Sequence, residues 1–341
     1  MSLPRNGRPT IGDVAAAARV SRATVSRVLN GNVSVDPSLA RRVRSASDRL
    51  GYQVNLTALG LARGVTGVCG VIVPDLVNPF FPELLKGIEA AADADGCRVI
   101  VADSDEDPAR EARLVDELAR RCDALILCSA RMRVGELRAV VRSGIPLVLA
   151  NRVEPRMGVS AAAIDIVPAV DAIADHLASL GHRRVGYLAG PAMSWSAGRR
   201  AAALKAATRK RSMELVSREA GSSTESGYNA AASFVDSDVS AVVAFNDLVA
   251  LGALARLRES GLDTPGDVSV IGFDDIPAAA FAAPALSTVR FPKAELGRTA
   301  WSLLRDRLDG RPPEVCWLAP ELVLRGSTTA ASARRGTRVT S

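Results

Sequence analysis

The chain has 341 residues, 48% of them hydrophobic, and its 43 Lys and Arg against 37 Asp and Glu leave a net charge of +6. That length favours two or three domains with a sizeable core. No run approaches the roughly 20 apolar residues of a membrane span, and the N-terminal MSLPRNGRP has no apolar segment of signal-peptide type, so no membrane association and a cytoplasmic location are expected. Cys69, Cys97, Cys122, Cys128 and Cys316 are scattered without a CxxC spacing, which predicts free thiols, not a disulfide frame or a zinc site. The two histidines, His176 and His182, lack neighbours at ligand spacing, so structural roles are expected for both, and neither a metal nor a cofactor.

In chain order, Thr10 to Asn30 (TIGDVAAAARVSRATVSRVLN) comes first. Its apolar residues recur at helical spacing in two pieces: Ile11, Val14, Ala15 and Ala18, then, beyond Arg19-Val20, Val25, Val28 and Leu29. Ser21 stands where an N-cap belongs. Helix, tight turn, helix is the arrangement that lays a second helix in the DNA major groove with its first residues nearest the bases. Arg22, Ala23 and Arg27 are then expected at base edges, and Ser21, Thr24 and Asn30 at phosphates. An Arg fork fits the O6/N7 edge of guanine, while Ala touches a thymine methyl or leaves room. Helical spacing alone also suits two small helices in some larger core. The charge distribution favours the DNA reading: residues 1–64 hold ten Arg and no Lys against three Asp, a net of +7, and the remainder carries −1. A basic segment of domain size is the footprint of a polyanion partner.

A third helix is predicted from Pro37 to about Leu50, with Asp36 as N-cap, Pro37 at the first position and Gly51 as the stop. Its stripe of Leu39, Val43, Ala46 and Leu50 is expected to share a core with Ile11, Val14, Val25 and Val28, with Arg41, Arg42 and Arg44 outside. Asn55 to Gly64 (NLTALGLARG) is a short helix candidate, marginal alone because helices below about 12 residues barely hold in water.

The string DVAxxAxVSxxTVSRVLNG, a third helix ending in LGY, then Asn and LxLARG resembles the DNA-binding head and hinge of the lactose/galactose (LacI-type) repressor family. The resemblance implies that paired hinge helices order on operator DNA and that Leu61 wedges into the minor groove, where such side chains unstack a base step. Leu59 and Leu61 could instead pack the linker onto the core.

From Gly67 the pattern alternates strand-like and helix-like segments, with strands expected at Val68–Pro74, Arg98–Ala102, Ala124–Cys128, Pro146–Ala150, Ala163–Ile166, Val185–Ala189, Ala241–Phe245 and Val268–Phe273. Apolar strands alternating with amphipathic helices mean parallel sheets covered on both faces. Their number exceeds one comfortable doubly wound unit and favours two lobes. Ligands of open α/β sheets bind beyond the carboxyl ends of the strands, where this sequence places Asn78-Pro79-Phe80-Phe81, Cys128-Ser129, Asn151-Arg152, Asp165, GPAMSWSAGRR, Asn246-Asp247 and Asp274-Asp275. Aromatic, amide, carboxylate and guanidinium groups at one rim suit a small polar ligand.

NPFF, LGH, FNDxxAxGA, VSVIGFDD and P-x-LSTV extend the LacI-type resemblance over nearly the whole chain. It implies a core shaped like the periplasmic sugar-binding proteins, with Ser196, Arg200, Asn246 and Asp274 contacting an effector and Phe80, Phe81, Ser129, Asn151, Trp195 and Phe281 walling the pocket. The family's common Asp at position 151 is Asn151 here. Asp247 and Asp275 read equally well as caps of the helices that follow.

The expected architecture is an all-α helix-turn-helix head over residues 1–54, a hinge over 55–66, and an α/β core of two doubly wound parallel-sheet lobes over 67–326. Lobe 1 is expected near 67–165 and 290–318, lobe 2 near 166–289 and 319–326. The Ser/Thr/Ala/Arg-rich segment 327–341 is expected to be disordered, and it lacks a leucine heptad, which favours a dimer over a tetramer. The expected function is a nucleoid-associated homodimeric regulator, most simply a repressor, that binds double-stranded operator DNA under control of a sugar or nucleoside effector. An enzyme on the same core lacks a GxSxG, a Walker loop, a Ser-His-Asp arrangement or a GxGxxG after a strand. A transport solute-binding protein has no use for residues 1–64, and a nonspecific nucleoid protein predicts no sequence preference.

Overall fold

Thr10 opens the first helix, α1 (Ile11–Ala18), through a capping box: its hydroxyl accepts from Asp13 N, and the Asp13 carboxylate takes the Thr10 N–H at 2.7 Å. Arg19 ends the helix in the left-handed region at φ 53°. Ser21 then starts α2 (Arg22–Leu29), its Oγ accepting from Thr24 N at 3.1 Å. Asp36 caps α3 (Pro37–Leu50) by accepting from Ser38 N and Leu39 N, and Gly51 closes it at φ 62°. Val14, Ala15, Ala18, Val25, Val28, Val43 and Ala46 form the head's core, edged by Ile11, Val20, Leu29, Ala40, Leu50 and Tyr52. One expectation is corrected here: Ala40, not Leu39, packs on that core. Arg42 is exposed as expected, and it donates from Nη2 to Ala18 O at 2.6 Å, satisfying a carbonyl at the end of α1.

The computed structural model describes residues 9–29, 36–52 and 66–332. Contacts divide the chain into two compact units, Met1–Thr66 and Gly67–Ser341. Asn30 and residues 55–65 of the expected hinge, Leu61 among them, lie outside the described residues.

The second unit holds two parallel sheets. Into the first run β1 (Val68–Val73), β2 (Arg98–Asp103), β3 (Ala124–Cys128), β4 (Leu147–Ala150), β5 (Ser160–Ile164) and β11 (Val315–Leu318), in the order β11-β5-β4-β3-β1-β2. The second is β7-β6-β8-β9, from β6 (Arg184–Ala189), β7 (Glu214–Glu219), β8 (Ala241–Ala244) and β9 (Ser269–Ile271). An antiparallel ribbon pairs β10 (Thr288–Arg290) with β12 (Glu321–Val323). The helices between strands are α4 (Phe80–Ala94), α5 (Pro108–Leu118), α6 (Val134–Arg142), α7 (Ile166–Ser179), α8 (Trp195–Lys210), α9 (Thr224–Ala231), α10 (Asp247–Glu259), α11 (Pro277–Phe281) and α12 (Lys293–Leu308). β3 and β4 are buried at every residue, as central parallel strands covered on both faces must be. Helices α4 and α12 approach so closely that a Cβ on Gly87 would collide with the Ala294 carbonyl, and one on Gly297 with the Leu84 carbonyl. Among the described residues no helix is long and apolar enough to cross a membrane.

Three further expectations are corrected. The strand expected at Ala163–Ile166 runs instead from Ser160 to Ile164; Asp165 leaves the sheet and its carboxylate caps α7. β7, β11 and the ribbon strands were not foreseen. The tail is ordered through residue 332. Ser327 is fully buried, its Oγ accepts from Ser287 N at 2.8 Å and donates to Val270 O at 2.5 Å, and Ala331 N donates to Leu180 O. Both histidines serve this docking: His182 spans Ser240 Oγ at 2.8 Å and Thr329 O at 3.1 Å, and His176 meets Thr328 Oγ1 at 3.0 Å.

Candidate effector site and nucleic-acid interface

The carboxyl ends of strands from both sheets converge on one small cavity. The chain leaves β2, β3, β4 and β9 through non-glycine residues at positive φ: Asp105 and Glu106, Ser129, Asn151, and Asp274 with Asp275. Such strain gathers where side chains are aimed at a site. Asn151, 7% exposed, donates from Nδ2 to Ser129 Oγ at 2.9 Å, a bond that an aspartate carboxylate there would not donate.

Across the cavity, Ser194 caps α8 and brings Arg200 inward, 4% exposed, on an otherwise alanine-rich helix. Its guanidinium lies over the rings of Phe245 and Phe273, each 4.7 Å away, and of Phe291 at 5.2 Å. Arg200 Nη1 donates to the Phe245 carbonyl, and Nη2 stands 3.7 Å from the Asp274 carboxylate. Burial lowers the Arg200 pKa from its ordinary value, with Asp274 opposing. Burial also lifts the Asp274 carboxyl to about 6, held back by Arg200 and Lys293. Behind it Asp247 is fully buried, accepting from Thr288 Oγ1 at 2.5 Å and Ile276 N at 2.9 Å; desolvation, reinforced by Asp274, drives its pKa well up.

The cavity is lined by seven residues predicted from sequence: Phe80, Phe81, Ser129, Asn151, Ser196, Arg200 and Asp274. The other three lie elsewhere. Trp195 sits at the start of α8 against Trp317, with ring centroids 6.5 Å apart, and under the Arg199 guanidinium. Asn246 is 1% exposed and turns its amide to its own surroundings, Oδ1 capping α10 at Val249 N and Nδ2 donating to Ser222 O. Phe281 is 88% exposed on α11 and walls nothing. Sequence reasoning missed Glu106, Arg131, Ser222 and Phe245 as lining residues, and it placed Asn78 at the strand-end rim without assigning it to the pocket. Reading on for three residues past β2 and three past β3 would have found Glu106 and Arg131. The cavity measures about 20 Å³, space for about one water. A sugar-sized ligand enters only if the lobes part.

On the first unit, Ser21, Arg22 and Ala23 are exposed at the beginning of α2, where Ser21 Oγ and Thr24 Oγ1 share a hydrogen bond of 2.9 Å, and Arg27 is exposed in its last turn. Among the described residues no cluster of His, Cys, Asp and Glu is placed to hold a metal ion.

A helix-turn-helix unit joined in one chain to a two-sheet core with a cavity at its strand ends is the arrangement of a transcriptional regulator that carries a binding-protein-like domain. Residues 10–55 match the bacterial regulatory proteins of the lacI family, and 174–328 match the periplasmic binding protein-like domain. The chain is similar to the HTH-type transcriptional regulator MalR of Streptomyces coelicolor, 35% identical with 96% of this chain and 98% of the relative covered. The lac repressor dimer bound to operator and the anti-inducer ONPF superposes with a TM-score of 0.87 at 28% identity, covering 94% of this chain and 99% of that one. The cellobiose complex of the regulator CelR gives 0.70 at 30% identity, covering 94% and 100%. The chain belongs to the LacI family of bacterial transcriptional regulators. It is a transcriptional regulator, as these relatives are.

Proposed function

We propose that the chain is a cytoplasmic repressor that binds a two-fold symmetric operator as a homodimer and changes its grip when a sugar or nucleoside enters the core. Two heads related by a dyad read two half-sites. Arg22 and Arg27 supply base-edge forks, Ala23 leaves room, and Ser21, Thr24 and Asn30 engage phosphates. Leu61 is the minor-groove wedge. The effector residues are Phe80, Phe81, Ser129, Asn151, Ser196, Arg200 and Asp274, with Asn246 acting through the Ser222 loop.

The observation that carries this reading is the closed cavity at the strand ends, where a caged guanidinium and a carboxylate face hydroxyl and amide groups from the other lobe. An effector shifts operator affinity only by binding one lobe arrangement better than another. The relatives bound to operator and to cellobiose favour a DNA partner and a carbohydrate. Thermal-shift screening of the full chain against saccharides and nucleosides tests it, because a specific ligand raises stability by mass action. A hit that also changes operator affinity is expected. A hit that leaves operator affinity unchanged at saturation contradicts the coupling.

A further inference from the structure

Besides Arg200 and Asp274, the cavity holds a second arginine–carboxylate pair. Arg131, 3% exposed, grips Glu106 with two bonds, Nε to Oε2 at 2.5 Å and Nη2 to Oε1 at 2.9 Å, while Nη1 donates to Ser129 O. Its backbone is equally fixed. Buried Glu111 accepts Arg131 N and Met132 N at 2.7 Å each, and Arg152 Nη1 donates to Ala130 O at 2.8 Å and Met132 O at 2.7 Å. A side chain locked this thoroughly aims its partner. Glu106 therefore faces the cavity from lobe 1, and its Oε1 also accepts from Ser222 Oγ of lobe 2 at 3.5 Å. Asn246 holds that serine's carbonyl at 2.9 Å. The guanidinium groups of Arg131 and Arg200 are close enough for Arg131 to lower the Arg200 pKa.

We propose that Glu106, aimed by Arg131, is a specificity-determining acceptor of the effector site, and that Ser222 occupies it while the lobes are closed, so an uncharged, hydroxyl-bearing effector enters by replacing Ser222. The proposal rests on the regulator reading above. Each ion pair presents a donor and an acceptor side by side. One ligand hydroxyl donates to the carboxylate while its neighbour accepts from the guanidinium. A phosphorylated ligand would set a dianion beside Glu106 and Asp274 with both guanidinium groups already committed, and like charges in a desolvated site repel strongly. Two balanced pairs thus select against charge.

The test uses the full chain, with calorimetric dissociation constants for ribose, maltose, cellobiose and cytidine, and for ribose 5-phosphate and glucose 6-phosphate. The expected result is that at least one neutral probe binds and no phosphate binds more tightly than it. Glu106→Gln should then weaken that neutral probe at least tenfold and narrow its margin over the phosphates by a similar factor. Ser222→Ala, which leaves the ion pair whole, should tighten the neutral probe about two- to fivefold. A phosphate binding best, no neutral probe binding, an affinity within twofold for a folded Glu106→Gln, or a weaker Ser222→Ala would each overturn the proposal. Operator binding by the same preparation is measured separately: its loss counts against the regulator reading, its persistence confines the failure to Glu106.

Discussion

Arg200 and the two carboxylates behind it show how a family motif becomes physical constraint. A guanidinium that is 4% exposed survives because three aromatic rings, a carbonyl and Asp274 replace its water. Removing one member of such a buried pair costs about 3–5 kcal/mol because the other charge is stranded. Arg200→Met should therefore lower core stability by about 3 kcal/mol at pH 7.5 in urea unfolding, and by less at pH 5, where the stranded Asp274 can take up a proton. Asp247 permits a cleaner pH experiment. Its folded pKa is raised well above the ordinary value of 3.8, so its contribution to stability is full below that value and is lost as pH rises through the folded pKa. Asp247→Asn keeps an oxygen for Ile276 N, while the Thr288 hydroxyl can turn to accept from the new amide. The variant should gain stability relative to the parent chain at pH 8 compared with pH 5. An equal difference at both would show that the buried carboxyl carries no such cost. Of the site residues, those on or just past apolar strands were legible: Ser129, Asn151 and Asp274 follow unmistakable runs. Trp195 was not, because its contact with Trp317 depends on a strand over 100 positions away in the chain.

At the scale of elements, legibility followed burial. The alternation at Val68–Cys128 announced parallel strands, whereas β7, reading ELVSRE with exposed charges, is an edge strand too polar to show as an apolar run. β5 is three alanines between Ser160 and Ile164, residues with weak strand signal, so its position was displaced. The three-residue β10 and β12 pair only across the chain's return between lobes and carry no local period. The tail was misjudged for a related reason. Its Ser and Thr residues look solvated by composition, yet Ser327 Oγ satisfies backbone groups of β9 and of the approach to β10, while the Thr329 backbone accepts from the His182 ring and donates to Ser269 Oγ. Each such bond contributes about 1 kcal/mol net. Truncation after Gly326 should cost the core about 3 kcal/mol by chemical denaturation, while truncation after Ser332 should leave it within about 0.5 kcal/mol. Equal stability of the two truncated chains would mean the docked segment holds nothing.

For the whole molecule, the charge division already visible in the sequence separates tasks: a +7 front segment and a nearly neutral remainder. The phosphate-directed charge gives affinity on any duplex, while base-edge contacts and the ease with which a base step deforms give preference. Arg22→Ala should accordingly change which operator positions matter, costing about 1–3 kcal/mol at its own base pair, with only a modest loss on nonspecific DNA in the same salt. The central claim, that a helix-turn-helix front end reads specific duplex sequence, is tested most directly by selecting bound fragments from a random-sequence duplex library with the purified chain and sequencing them. A two-fold symmetric motif enriched over bulk DNA is predicted. Enrichment indistinguishable from the unselected library, or unchanged in a chain lacking residues 1–66, would contradict it.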